Sequence, residues 1–279
     1  MTQERKPVEV RDVAPGLWIW RPENWQWRPG VDWNPVVTST WVESGGVRLV
    51  LDPLEPPAEA TEVWRRLDER PPTVAVVLKP DHLRDLDEFV RRYGCLAHGP
   101  ERELLRGVVP DDHMPETEIQ PLHPGDRLPG GIVAYEDGRG GHETPLWLPE
   151  QRALIFADAL TERGGELRVW TTQLLEERAL PALRVLLDLP FEHVIISHGE
   201  PVHTRAEYER ALERPPWPAG PLHPAARRGN LEVVRRLVEL GADVAARDEL
   251  HHATALDWAR IGGNQAVIAY LESVSKKAT

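Results

Sequence analysis

Strand-length apolar runs recur along the chain at 17–20, 47–51, 73–78, 131–135, 153–156 and 193–196. They are rich in β-branched and aromatic residues and bounded by Gly, Pro or Asp, a pattern that predicts short strands. Between them, apolar residues return every three or four positions over 58–70, 83–93, 173–187 and 204–213, as with Leu86, Phe89, Val90 and Tyr93. That spacing predicts helices that bury one face. Strands and helices interleaved in this order predict a layered α/β body.

The pattern breaks at 214–221, where four prolines in eight residues exclude both a helix and a central strand. The segment reads as a stiff linker between a body over 8–213 and a module over 222–274. Within that module Leu222, Ala225, Gly229, Asn230, Val233, Val234 and Leu237 recur 34 residues later as Leu256, Ala259, Gly263, Asn264, Val267, Ile268 and Leu271. The period and the helix–turn–helix patterning resemble ankyrin repeats over 220–274. The resemblance implies two helix pairs and, by the habit of that family, contact with another protein. Two repeats fall short of the roughly three that stand alone, so the module is expected to lean on the body.

Composition narrows the function classes. The 279 residues carry a net charge of −12, which argues against a phosphate-binding face and against nucleic acid as a partner. The one cysteine, Cys95, excludes an internal disulfide and reads as a small buried hydrophobe. The start is charged and followed by no apolar stretch, and no apolar run approaches a membrane span. A cytoplasmic protein without membrane contact is the expectation.

Candidate chemistry clusters at strand ends. The run 73–78 leads into Lys79-Pro80-Asp81-His82-Leu83-Arg84-Asp85. Asp158 follows the run 153–156, His198 follows 193–196, and His142 lies in the turn Gly140-Gly141-His142-Glu143-Thr144-Pro145. Ligands of layered α/β proteins gather outside such strand ends. Three histidines with two or three carboxylates suit zinc, iron or manganese.

These words, in this order, resemble the metallo-β-lactamase superfamily over roughly 8–205. The resemblance implies an αββα sandwich with metal bound at one edge, and Val47 to Asp52 matches its fourth strand and following aspartate. Its His-x-His-x-Asp-His loop falls on Pro80, His82, Arg84 and Asp85, so three of the four loop ligands are replaced. What remains is His82, His142, Asp158 and His198 as metal ligands, with Asp85 as an auxiliary group. His82, Asp158 and Asp85 are the candidate catalytic residues, including a metal-free acid–base pair of His82 with Asp158.

Two arrangements stay open at this point. One metal, held by His82, His142 and Asp158 or by Asp85, Asp158 and His198, would support hydrolysis of an ester, thioester or lactone. Alternatively the metals are gone, Arg84 ion-pairs with Asp85 or Asp158, and the chain binds a protein through its ankyrin repeats. Arg84, Trp25 and Trp27 are the candidate substrate-pocket residues. Trp25 and Trp27 belong to a tryptophan-dense stretch (Trp18, Trp20, Trp25, Trp27, Trp33) that reads equally as an aromatic lip or as sheet packing. The remaining body histidines, His98, His113, His123, His193 and His203, read mostly as surface or loop residues.

Overall fold

In the computed structural model the residues described are 7–27, 34–140, 143–170, 175–214, 216, 222–239, 242–247 and 253–275. The first sheet runs in chain order: β1 (Glu9–Ala14), β2 (Leu17–Arg21), β3 (Ser39–Ser44), β4 (Val47–Leu51), β5 (Val74–Val76), β6 (Leu96–Gly99) and β7 (Ile119–Pro121). Its first four strands pair antiparallel, and β4 to β7 pair parallel. The helices α1 (Thr61–Glu69), α2 (Leu86–Tyr93) and α3 (Arg102–Val108) lie between the parallel strands in sequence, as parallel crossovers require.

A second sheet holds β8 (Val133–Ala134), β9 (Leu146–Leu148), β10 (Ala153–Ile155), β13 (His193–Ile195) and β14 (Val202–Thr204), with β10 and β13 parallel. A two-stranded ribbon, β11 (Leu160–Arg163) with β12 (Glu166–Val169), follows β10.

Period-two alternation sorts the core into three layers. Leu49 and Leu51 of β4, Val74 and Val76 of β5, and Ala153 and Ile155 of β10 meet between the sheets. The intervening Val50 and Ala75 face outward, with Trp18, Trp20 and Trp41, onto Val63, Leu67, Leu86, Phe89 and Leu105 of the three helices. On the far side Leu154 and Val194 pack with Leu183 of α4 (Leu180–Val185) and Tyr208 of α5 (Arg205–Glu213). Strands buried on both faces read as continuous apolar runs, which is how the sequence presents them. The architecture is thus helix, sheet, sheet, helix. For Trp18 and Trp20 the sheet-packing alternative holds: both are buried, and the Trp20 indole donates to Leu54 O at 2.9 Å.

Two local expectations are corrected. The stretch 173–187 is not one helix: a π turn at Leu175–Ala179 gives way to α4, with Pro181 in the first turn. Proline has no N–H to continue a helix but fits the first turn of a new one. His203 is buried in β14, its Nε2 2.7 Å from Glu200 O, and is no surface residue.

The C-terminal module contains α6 (Leu222–Arg228), α7 (Leu231–Glu239), α8 (Ala255–Ile261) and α9 (Gln265–Ser275), two helix pairs as the repeat implies. Thr254 caps α8 in a reciprocal box with Asp257. The Asn264 side chain donates to Ala226 O at 2.8 Å and Arg227 O at 2.7 Å, tying the second pair to the first. Its apolar core, including Leu222, Val234, Ala259, Val267 and Leu271, closes on the module's own side chains among the described residues. Among the described residues the contact found between module and body is polar. A salt bridge from Arg236 of α7 to Glu177 of the π turn connects the two.

Candidate metal centre

Four strand ends converge at one edge of the sandwich. β4 runs out at Asp52, β5 leads into the loop 78–85, β10 leads to Asp158, and β13 leads to His198. The parallel pairs β4·β5 and β10·β13 set their carboxyl ends side by side, and the backbone bond from Thr38 N to Ser197 O (3.0 Å) ties the two sheets together there.

His82 occupies a short 3₁₀ turn begun by Pro80, with 6% of its surface exposed. Its Nδ1 lies 2.8 Å from Asp52 Oδ2, and Asp52 Oδ1 accepts Leu78 N–H at 2.8 Å. On the opposite side, His82 Nε2 is 3.3 Å and His198 Nε2 3.2 Å from the same atom, Asp158 Oδ1. That oxygen is buried, and among the described residues no donor is aligned on it as a hydrogen bond. One donor atom from each of His82, Asp158 and His198 lies within 4.8 Å of the other two.

Two imidazoles and a carboxylate converging on one point fit a single transition-metal ion. Asp52 adds the outer partner that orients a ligating histidine: by engaging Nδ1 it directs Nε2 inward. In the metal-free protein a proton does this work. Burial opposes the charge on His82, but the carboxylates of Asp158 and Asp52 outweigh it and raise its pKa to about 9. Asp158 is held well below the usual carboxylate range: burial works the other way, and the charges of His82 and Lys79 override it. Burial lowers the pKa of His198 and keeps it neutral despite the nearby Asp158.

Lys79 was not among the residues singled out from the sequence. Its Nζ lies 2.6 Å from Asp158 Oδ2 and 2.7 Å from Asp81 Oδ2. Burial disfavours its charge, yet those two carboxylates raise its pKa. A signal was available: Lys79 is one of only four lysines among 33 basic residues, and it stands at a strand end.

Arg84 turns inward, but not onto Asp85 or Asp158, the partners that the metal-free alternative gave it. Its guanidinium donates to Thr38 O and Asp52 O, both at 2.7 Å, and to Ser197 Oγ at 3.3 Å. Both Asp52 (φ 45°) and Arg84 (φ 47°) take left-handed backbone conformations, strained for an arginine above all.

Asp85 is absent from the ligand cluster. One carboxylate oxygen accepts the Trp25 indole N–H at 3.1 Å and the other accepts Glu55 N–H at 2.6 Å. Burial pushes its pKa up. Trp25 is 51% exposed and stacks on His113, with ring centroids 6.4 Å apart. Trp27 follows in the same turn, its N–H donating to Asn24 O at 3.0 Å. His142 lies outside the described residues, as do Trp33 and most of the linker 214–221.

Its neighbour Glu143 carries a role the sequence did not reveal. It is 1% exposed and accepts N–H groups from Ala157 (2.9 Å), Asp158 (2.7 Å) and Ala159 (2.8 Å). Arg139 bridges it, at 2.6 Å, to buried Asp137. Glu143 thereby sets the backbone turn that presents Asp158.

Comparisons with known proteins agree with this architecture. A metallo-β-lactamase, FIM-1 from Pseudomonas aeruginosa in a mono-zinc form, is 15% identical with a TM-score of 0.59, covering 76% of this chain and 96% of that one. A metallo-β-lactamase from Pontibacter korlensis is 17% identical with a TM-score of 0.53, covering 74% and 97%. A metal-soaked flavodiiron core, Flv1 from Synechocystis sp. PCC6803, is 14% identical with a TM-score of 0.53, covering 76% and 62%. No curated protein matches the sequence. Among the described residues, no helix is long and apolar enough to cross a membrane. The ankyrin-repeat family model matches residues 220–249. The chain accordingly joins a body of metallo-β-lactamase fold, with a His/Asp/His cluster at its sheet edge, to an ankyrin repeat.

Proposed function

We propose that this protein is a hydrolase that works with a single metal ion held by His82, Asp158 and His198, with His142 as a further ligand. The observation that carries the reading is the convergence of three donor atoms, two imidazole nitrogens and one buried carboxylate oxygen, within 4.8 Å of one another. Zinc, iron or manganese bound there would polarise a carbonyl and lower the pKa of water. Asp52 holds the His82 ring and its tautomer. Glu143 presents Asp158. Lys79 supplies a fixed positive charge beside the reacting groups. Trp25, anchored by Asp85, stands exposed as an apolar lip for substrate. Esters, thioesters and lactones are the substrate class, because their acyl carbon needs both polarisation and a nearby water.

The second reading is a non-catalytic relative that binds a protein through its ankyrin module. The ammonium of Lys79 on Asp158 and the inward guanidinium of Arg84 favour it, since both put organic cations beside the donors that a metal ion would use.

Elemental analysis of protein purified without chelator separates the two. The expected result is one equivalent of a transition metal, lost in His198→Ala along with esterase activity. No uptake of zinc, manganese or iron would overturn the hydrolase reading in favour of the second.

A further inference from the structure

We propose that Lys79 is a built-in cation that confines this centre to one metal ion. The inference rests on the single-metal reading and adds a reason for the number. Asp158 divides its two oxygens: Oδ1 faces the imidazoles of His82 and His198 at 3.3 and 3.2 Å, while Oδ2 meets Lys79 Nζ at 2.6 Å. In two-metal sites, ions about 3.5–4 Å apart clamp the reacting oxygens between them. Here the ammonium stands where a second ion on Oδ2 would stand, and like charges at that separation repel strongly in a partly buried site. The Lys79 side chain is 17% exposed, so little water screens the repulsion.

Among the described residues of the loop 78–85, the other groups that might serve a second ion are committed elsewhere. Asp85 is engaged by Trp25 and Glu55. The Arg84 guanidinium, held by Thr38 O, Asp52 O and Ser197 Oγ, adds a second fixed positive charge next to His82. A further carboxylate, Asp81, is bound by Lys79 itself at 2.7 Å. Removing the ammonium would release two carboxylate oxygens at once, Asp81 Oδ2 and Asp158 Oδ2, which lie 2.7 and 2.6 Å from Nζ. Oxygen donors of this kind are what a further divalent cation requires.

The test is titration of the full metal-free chain with cobalt(II). Bound equivalents are read by equilibrium dialysis, and pairing of ions is read by the visible spectrum and by electron paramagnetic resonance. Wild type is expected to take one equivalent and Lys79→Met two, with a coupled cobalt pair. Lys79→Arg, which keeps the charge, is expected to return to one. Circular dichroism and a thermal melt check folding, and Lys79→Gln substitutes if the methionine variant does not fold. One equivalent in both wild type and Lys79→Met, or two in wild type, would overturn the role of Lys79 while leaving a metal-binding centre in place. Cobalt bound by neither protein would overturn the underlying single-metal reading. Cobalt bound by Lys79→Met alone would overturn both, because the ammonium would then replace the sole ion.

Discussion

The two sheets contribute to the shared edge in opposite ways. The second sheet delivers Asp158 and His198 from turns that packing dictates. Glu143 accepts three successive N–H groups around Asp158. Gly199, directly after His198, has φ 94°, and a Cβ there would stand 2.3 Å from Glu162 O. The first sheet delivers its side chains from the loop 78–85, where side-chain identity matters more than backbone closure. There Lys79 and Arg84 bring positive charge, and only His82 projects a ligand atom into the cluster. The difference teaches that one half of the edge is set by backbone turns held from within and the other by the charges its side chains bring.

The largest effect should come from breaking the packed half. Glu143→Ala leaves three N–H groups of the Asp158 turn without their acceptor and the buried Arg139 guanidinium with Asp137 alone. Losing one partner of a buried pair costs about 3–5 kcal/mol. Denaturant unfolding of the metal-free protein should show that loss, and a change below about 1 kcal/mol would mean Glu143 does not set the Asp158 turn.

The next effect is the pH dependence of the first half. The folded pKa of His82 is about 9 against an ordinary 6.5, so the proton is held more tightly in the folded state. Its contribution to stability is full below pH 6.5 and is lost as pH rises through about 9. The difference is on the order of 3 kcal/mol. Metal-free wild type should lose that stability between about pH 6 and about pH 10, and His82→Gln should flatten the profile. An identical slope in the variant would place the titrating group elsewhere.

The smallest effect belongs to the rim. Trp25→Phe removes the indole N–H from Asp85 at a half-exposed position. A stability loss within about 1 kcal/mol is expected. A change in KM for apolar esters larger than the change in kcat would mark Trp25 as part of the substrate lip.

Much of the fold was legible along the chain. Apolar runs at 47–51, 153–156 and 193–196 became β4, β10 and β13 within a residue, because a strand buried on both faces leaves a continuous apolar signature. The α1, α2 and α5 patterns were equally plain. Strand β3 was not, since Ser39, Thr40, Glu43 and Ser44 interrupt its hydrophobicity; Ser39 and Thr40 are nonetheless buried, and the Ser39 hydroxyl donates to Asp52 O at 2.8 Å. The ribbon β11–β12 was missed for the same reason, its Glu and Arg residues reading as loop.

By itself, the sequence determined the alternation of strands and helices, the repeated helix pair at the C-terminus, and which donors the loop 78–85 retains. These are local properties, written in spacing and residue type. Only the tertiary structure decided which charges meet. Lys79 and Asp158 are 79 positions apart and join because two strand ends share one edge. Arg84 reaches main-chain carbonyls rather than Asp85 because its left-handed backbone turns it inward, while Asp85 is taken up by Trp25 and Glu55. Side-chain direction at a strand end depends on backbone dihedrals and on distant partners, and neither is encoded in hydrophobic period.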